Sequence, residues 1–194
     1  GLGVYLGRHV FKNCLVVTNT ISAPSAVPVA HGMYLGPGDI VVESMTVVSH
    51  GGEGIRCFSG GAPVLRNCIV WSNGDDLVAF PTNAAGVLSN VTYSCIGNGD
   101  NSGANGCVSV NPLFVDATYY HLRSQAGNYV NGYFTGGSWT TSPESSPLID
   151  LGDPASGYSL EPSLNGRRVN LGAYGNTAVA SISPIPAGIL LQCF

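Results

Sequence analysis

Charge is scarce in this chain: 9% of its 194 residues are charged, and Lys12 is the single lysine. With a formal net charge of -4 and no cluster of basic side chains, nucleic acid is not an expected partner. Long apolar runs are missing too. Nothing reaches the ~20 consecutive apolar residues that a membrane-spanning helix needs, so no membrane span is expected. Extended 3.6-residue amphipathic periods are also lacking, which removes helical bundles and helical repeats. No CxxC and no paired Cys/His spacing occurs, so zinc is not expected. What abounds is glycine (27) and proline (12), with short β-branched runs bounded by Gly, Asn, Ser and Pro, the composition of a turn-rich β protein.

Those short runs repeat. Residues 10–19 read VFKNCLVVTN, residues 41–50 VVESMTVVSH and residues 64–73 VLRNCIVWSN. Each follows a Gly-hydrophobic-x-hydrophobic run, at Gly3-Val4-Tyr5-Leu6, Gly32-Met33-Tyr34-Leu35 and Gly54-Ile55-Arg56-Cys57. A weaker fourth copy runs from Gly86-Val87-Leu88 into residues 91–96. The equivalent positions Cys14, Met45, Cys68 and Cys95 are 31, 23 and 27 residues apart, a fixed strand register with insertions in the turn. This pattern predicts an all-β solenoid, a right-handed parallel β-helix, with an irregular C-terminal segment packed on its flank.

Equivalent side chains then stack at the strand spacing of about 4.8 Å. The alignment predicts four inward ladders: Val4, Met33, Ile55 and Val87; Leu6, Leu35 and Cys57; Cys14, Met45, Cys68 and Cys95; and Val16, Val47 and Val70. Cysteines at such positions are packing thiols that behave as small hydrophobes. Cys107, in the loop after Cys95, could pair with it in an oxidising compartment, and Cys193 falls in the tail. Leu15, Thr46 and Ile69, like Val17, Val48 and Trp71, point away from the lumen and need cover. Residues 112–174, with Phe114, Leu122, Leu148, Ile149 and Leu171 spread along them, are the economical candidate, and a partner chain is the other. Residues 1–110 are thus expected to form the coils, 111–181 a covering segment of the same domain, and 182–194 a tail.

Four further strings follow: NPLFVD (111–116), YHLRS (120–124), SPLIDLGDP (146–154) and NGRRVNLGAYGNT (165–177). In this order after the repeats, they resemble the C-terminal part of bacterial right-handed β-helix repeat proteins of the choice-of-anchor Q type, which are pectate-lyase-like in fold. The resemblance spans roughly residues 64–181, with Leu148 where the family often has Cys. It implies a secreted or surface-attached bacterial protein, extracellular in location, with usually no established activity. The chain starts at Gly1 inside a repeat, without Met or a leader, and its last residues are no recognisable anchor. A piece of a longer protein is the expectation.

Candidate chemistry sits on the outward positions. Lys12, Glu43 and Arg66 make an alternating charge ladder: a lyase base beside an acid, or a cross-rung salt-bridge stack. Tyr5, Tyr34 and Arg56 form an outer row that could lie against sugar rings or simply pack across strands. Asn98-x-Asp100-x-Ser102-Gly103 echoes the start of a calcium loop, but Ser109 stands at its twelfth position, so calcium is the one cofactor the residues suggest. The four histidines share no relay spacing. Asn13, Ser44 and Asn67 at one corner, and Asn19, His50 and Asn73 at the next, are expected to stack as polar ladders, each amide bonding neighbouring rungs.

Three function classes stay open. The first is a non-catalytic secreted or cell-surface module for glycan binding, adhesion or extracellular assembly, with a polysaccharide or cell-surface glycan as partner. The second is a polysaccharide lyase or glycoside hydrolase of the pectate-lyase-like type. The third is a structural subunit that self-associates end to end or adjoins further coils of a longer chain.

Overall fold

Residues 2–4, 7–19, 31–58 and 60–184 are described by a computed structural model. Among them there are fourteen short strands and no helix. Twelve strands form three parallel sheets of four. The first sheet holds β1 (Leu2–Val4), β4 (Met33–Leu35), β7 (Glu53–Cys57) and β10 (Asp75–Val78) in that order. The second holds β2 (Arg8–Lys12), β5 (Asp39–Glu43), β8 (Val64–Arg66) and β11 (Val91–Thr92). The third holds β3 (Leu15–Val17), β6 (Thr46–Val48), β9 (Ile69–Trp71) and β12 (Cys95–Ile96). The chain therefore visits the three sheets in turn and returns to the first one strand further on.

Strands this short hold because every circuit repeats the same inward residues. Met33, Leu35, Val42, Met45, Val47, Ile55, Leu65, Cys68 and Val70 share one core and are essentially inaccessible. Each large side chain among them contributes roughly 1.5–3 kcal/mol of burial. Glycine precedes the inward Met33 and Ile55 of the first sheet for a steric reason. A Cβ on Gly32 would stand 2.5 Å from the Gly54 carbonyl oxygen and 2.6 Å from the His50 ring, and one on Gly54 2.7 Å from the Asn73 amide.

The corner between the third and first sheets carries the expected polar ladder. The Asn19 amide N–H donates to His50 Nδ1 at 2.8 Å, His50 N–H to Asn73 Oδ1 at 3.0 Å, and Asn73 N–H to Asp76 Oδ1 at 3.3 Å. Because His50 Nδ1 accepts, its ring proton is on Nε2, 3.2 Å from the Val16 carbonyl. Burial lowers the His50 pKa, so the ring stays neutral in this role.

The corner between the second and third sheets differs from expectation. Asn13, Ser44 and Asn67 take left-handed backbone angles (φ 52°, 49° and 57°), but the two amides do not bond along the stack. Asn13 Nδ2 donates to the Ala173 and Gly175 carbonyls, both at 2.8 Å. Asn67 Nδ2 donates to Ser156 Oγ at 2.9 Å, while its Oδ1 accepts from Asp153 N–H at 2.7 Å. The left-handed bend turns these side chains outward, where unpaired backbone of the C-terminal segment offers partners.

Three registers also differ. In β1 it is Leu2 that pairs with Met33 and Val4 with Leu35, a shift of two residues that keeps inside and outside unchanged and so leaves no trace in the hydrophobic pattern. Leu6 lies outside the described residues. The fourth strand of the first sheet is β10, where Leu77 pairs with Ile55; Val87 belongs to a later turn. The two carboxylates that open β10 hide it from a search for apolar alternation. In β12 it is Cys95 that opposes Ile69, an odd shift that turns Cys95 outward and lets Ile96 fill the lumen above Val70. Cys107 belongs to the lumen, so Cys95 and Cys107 lie on opposite sides of the strand and both are free.

The outward residues of the third sheet are covered. Ile69 and Cys95 pack with Leu122, Leu148, Ile149 and Leu171, and Leu15 packs against Tyr129, Ala173, Tyr174 and Val179. Ala173 N–H donates to Thr46 Oγ1 at 2.9 Å and Gly172 N–H to the Asn67 carbonyl at 2.8 Å. Gly172 has φ 88° and a Cβ there would sit 2.7 Å from both Ile69 and Thr46, so only glycine brings the covering backbone this close. The NPLFVD and YHLRS strings pair with each other through Phe114 and Leu122. An antiparallel hairpin, β13 (Asn128–Val130) and β14 (Ser138–Thr140), completes this layer.

Burial pushes the Cys68 thiol up to about 12 and the Cys95 thiol up to about 11. In a Cys193→Ser chain, a thiol reagent under native conditions should therefore modify the partly exposed Cys14 and leave Cys57, Cys68, Cys95 and Cys107 untouched until unfolding. Rapid native labelling at Cys68 would contradict this register.

Glu161 lies under the same layer. Its Oε1 accepts from the Asn170 and Asn176 N–H groups at 2.9 and 2.8 Å, while Oε2 is buried without a partner. Burial pushes its carboxyl from the ordinary 4.5 up to about 7, against the two N–H donors. A pKa raised by folding gives stability that is complete below the unfolded value and lost as pH rises through the folded one, here about 3 kcal/mol between pH 4.5 and 7. Glu161→Gln should flatten that slope and be the more stable chain at pH 8, as read by denaturant unfolding. A Glu161→Gln chain whose stability changes with pH just as the wild type's does would count against it.

Candidate functional site

Two groups of polar and aromatic side chains stand on the outer faces of the stack. On the second sheet, in-register pairing sets Lys12 beside Glu43 and Glu43 beside Arg66. Lys12 Nζ lies 2.9 Å from Glu43 Oε1 and Arg66 Nη2 2.8 Å from Oε2, and Arg66 Nη1 reaches Asp153 of the covering layer at 3.7 Å. Burial alone would raise the Glu43 carboxyl, but hydrogen bonds and charge from Lys12 and Arg66 outweigh it and hold it below its ordinary value. Arg66 is correspondingly raised, first by its hydrogen bond to Glu43 and against its own burial. Every charge in this row faces its opposite. The arrangement is an ion-pair network, with Glu43 held ionised and Arg66 held protonated.

On the first sheet, Tyr34 and Arg56 are register partners. Tyr5 lies outside the described residues, and Gly3 is the residue opposite Tyr34, so the row expected from the sequence does not begin with an aromatic there. The structure supplies another ring instead: Phe58 packs on Tyr34 with centroids 5.9 Å apart, and His31 lies 6.0 Å from Tyr34. Arg56 Nε donates to Glu53 Oε2 at 2.5 Å and Nη2 to Oε1, a two-point clasp that holds the guanidinium in place and raises its pKa, mainly through that hydrogen bond. His31 Nδ1 is 2.8 Å from Glu53 Oε2 but out of line for a hydrogen bond. Tyr34, Arg56, Phe58, Gly61, Ala79 and Pro81 line an open depression of about 690 Å³. Phe58 was legible as the next outward position after Arg56 in a period of two; Glu53 and His31 were not, because Glu53 is the first residue of β7 and His31 lies before β4, where alternation gives no direction.

The loop of Asn98, Asp100 and Ser102 is engaged with itself and the stack. Asn98 Nδ2 donates to Asp75 Oδ1 at 2.8 Å and Asp100 Oδ2 at 3.0 Å, and Asp100 N–H returns to Asn98 Oδ1 at 3.1 Å. Ser102 N–H bonds the Gly99 carbonyl, a turn contact. Among the described residues no three His, Cys, Asp or Glu side chains gather to hold a metal. Asp75 and Asp76 diverge: Asp75 is exposed, whereas Asp76 is buried and takes Asn73 Nδ2 at 2.8 Å on one oxygen and Asn98 N–H at 2.9 Å on the other. Burial raises the Asp76 pKa even so, with those donors opposing. Its role is to close the corner above Asn73.

Compared with known proteins, the chain matches no family model, no curated protein and no solved structure.

The Lys12–Glu43–Arg66 row has a measurable consequence. A carboxyl lowered by folding adds stability above its ordinary pKa of 4.5 and loses it as pH falls through the lower folded value. Glu43→Gln should cost up to about 1 kcal/mol at pH 7, the range for partly exposed pairs, and progressively less below pH 4.5. Denaturant unfolding at pH 7 and pH 3 checks this, and an equal loss at both would mean that packing, not charge, sets the effect.

Proposed function

We propose that this chain is a non-catalytic, secreted or cell-surface glycan-binding module built as a right-handed parallel β-helix of the choice-of-anchor Q type. The three parallel four-stranded sheets, visited in turn, support the β-helix, and the strings at 111–116, 120–124, 146–154 and 165–177 support the family. The single observation that carries the binding role is the Tyr34–Phe58–Arg56 depression. It offers two aromatic rings beside a guanidinium already clasped by Glu53, the amphipathic surface on which a sugar ring stacks while its hydroxyl oxygens accept hydrogen bonds from Arg56. Lys12, Glu43 and Arg66 face one another, and that mutual pairing favours a structural role over acid–base work.

A second reading has its own observation. Among the described residues, strands β1, β2 and β3 each pair on one side only, while at the opposite end Asn101 Nδ2 bonds the Leu88 and Val91 carbonyls at 3.1 and 2.9 Å and closes the stack with loop atoms. An open edge of this kind takes a further strand, which is the geometry of end-to-end assembly.

A glycan array on the whole chain, run beside an activity screen on acidic polysaccharides, tests the first reading. Tyr34→Ala should weaken the strongest array signal by about ten-fold with the fold intact. Release of unsaturated or reducing ends from a polysaccharide, lost in Glu43→Gln, would replace it with the lyase or hydrolase reading; light scattering that shows concentration-dependent oligomers would favour the assembly reading.

A further inference from the structure

Ten large apolar side chains stand exposed among the described residues, and three of them, Tyr133, Phe134 and Trp139, fall within seven positions of the β13–β14 hairpin. All three are aromatic, at 50%, 41% and 44% exposure. They are not loose. Trp139 packs edge-on against Tyr129 at 5.7 Å, Tyr129 against His121 at 5.4 Å, His121 stacks on Tyr174 at 3.6 Å, and Tyr174 meets Phe134 at 5.0 Å. Trp139 and Phe134 are thus the two exposed ends of one five-ring stack whose middle rings are buried.

Hydrogen bonds hold the stack from beneath. His121 Nε2 faces the Gly132 and Tyr133 carbonyls at 2.9 and 3.1 Å, so that nitrogen carries the proton and fixes the turn bearing Tyr133. Burial lowers the His121 pKa and keeps the ring neutral. Tyr129 Oη accepts from Gly137 N–H at 2.8 Å, Tyr133 rests edge-on against Tyr119 at 4.9 Å, and Tyr174 Oη donates to the Tyr119 carbonyl at 2.5 Å. Aromatic faces fixed in advance lose little conformational entropy on binding.

The chemistry around these rings selects a ligand. Residues 124–143 contain no Asp, Glu, Lys or Arg; they are mostly Ser, Thr, Asn, Gln and Gly, with four aromatics and single Ala, Val and Pro residues. Such a surface offers no charge complement to a nucleic acid, a uronic-acid polymer or a charged peptide. It does offer aromatic faces, whose negative quadrupole attracts the weakly positive C–H face of a pyranose, set among hydroxyl and amide groups that pair with sugar hydroxyls. Rings interspersed with glycine and hydroxyl residues also differ from the contiguous apolar patch of a protein–protein interface. We propose that the β13–β14 hairpin is a second binding surface, separate from the Tyr34 depression, for an uncharged polysaccharide whose sugars present flat C–H faces. This surface does not depend on the Tyr34 site.

The chain has two tryptophans, so Trp71→Phe leaves Trp139 as the sole reporter. Titrating that full-length variant with cellohexaose and with chitohexaose should shift Trp139 emission and shield it from acrylamide for at least one of them. Tyr133→Ala in the same background should weaken the apparent affinity by about ten-fold, and Tyr34→Ala should leave it unchanged. Because Tyr133 packs against Tyr119, a Tyr133→Ala chain that misfolds is replaced by Trp139→Ala, read by retention on chitin and cellulose beads with near-UV circular dichroism as the fold check. No response to either oligosaccharide overturns the proposal. So does equal protection by polygalacturonate, loss of the signal in Tyr34→Ala, or shielding of Trp139 that appears without sugar and vanishes on dilution, the mark of a second copy.

Discussion

In-register parallel pairing of very short strands is the constraint on which the rest depends. A three-residue strand cannot hold alone; it persists because the strand above and the strand below repeat its inward residues at the same height. Leu15, Thr46 and Ile69 align, as do Val16, Val47 and Val70, so each position of the circuit becomes a column whose side chains share one direction, inward or outward. The same alignment brings Lys12, Glu43 and Arg66 into a line of opposite charges and makes Tyr34 and Arg56 neighbours. Site geometry here is a by-product of stacking.

Stacking also creates a debt that the second half of the chain settles. Parallel sheets are apolar on both faces, and the outer face of the third sheet is met by Leu122, Leu148, Ile149, Leu171, Ala173 and Tyr174. The seam is both greasy and polar. Left-handed Asn13 and Asn67 direct their amides across it to Ala173, Gly175, Asp153 and Ser156, and Thr46 holds Ala173 from the strand between. Residues that look like turn formers of the stack are therefore its fastening to the covering layer. Glu161 has the converse design, a buried carboxyl that holds Asn170 and Asn176 within that layer while one of its oxygens goes unpaired.

The outer faces divide by how their polar groups are spent. On the second sheet Lys12, Glu43, Arg66 and Asp153 consume one another, which gives order at little net energy. On the first sheet and on the hairpin, aromatic rings are fixed from behind and exposed in front: Tyr34 and Phe58 in one place, Tyr133, Phe134 and Trp139 in the other. On the reading proposed above, preorganised rings with neutralised or missing charge meet ligands that are polar but uncharged.

The repeated strings determined a good deal without any coordinates. Because side-chain direction alternates strictly along a strand, the spacing of Met33, Ile55, Met45, Cys68, Val47 and Val70 was enough to place them inside, and the Lys12–Glu43–Arg66 row and the Asn19–His50–Asn73 corner followed from the same alignment. What alternation cannot see, tertiary structure decided. A two-residue slip in β1 preserves the pattern, so only pairing could set Gly3 opposite Tyr34; a one-residue slip at β12 was settled by whether Cys95 or Ile96 better fills the lumen; and β10 was hidden behind Asp75 and Asp76. The partners of Asn13 and Asn67 and the ring stack from Trp139 to Phe134 join residues far apart in the chain that follow no period, so no local pattern encodes them. Columns are written in the repeat; the contacts between the stack and its irregular cover exist only once both are folded against each other, because each supplies the hydrogen-bonding partners that the other lacks.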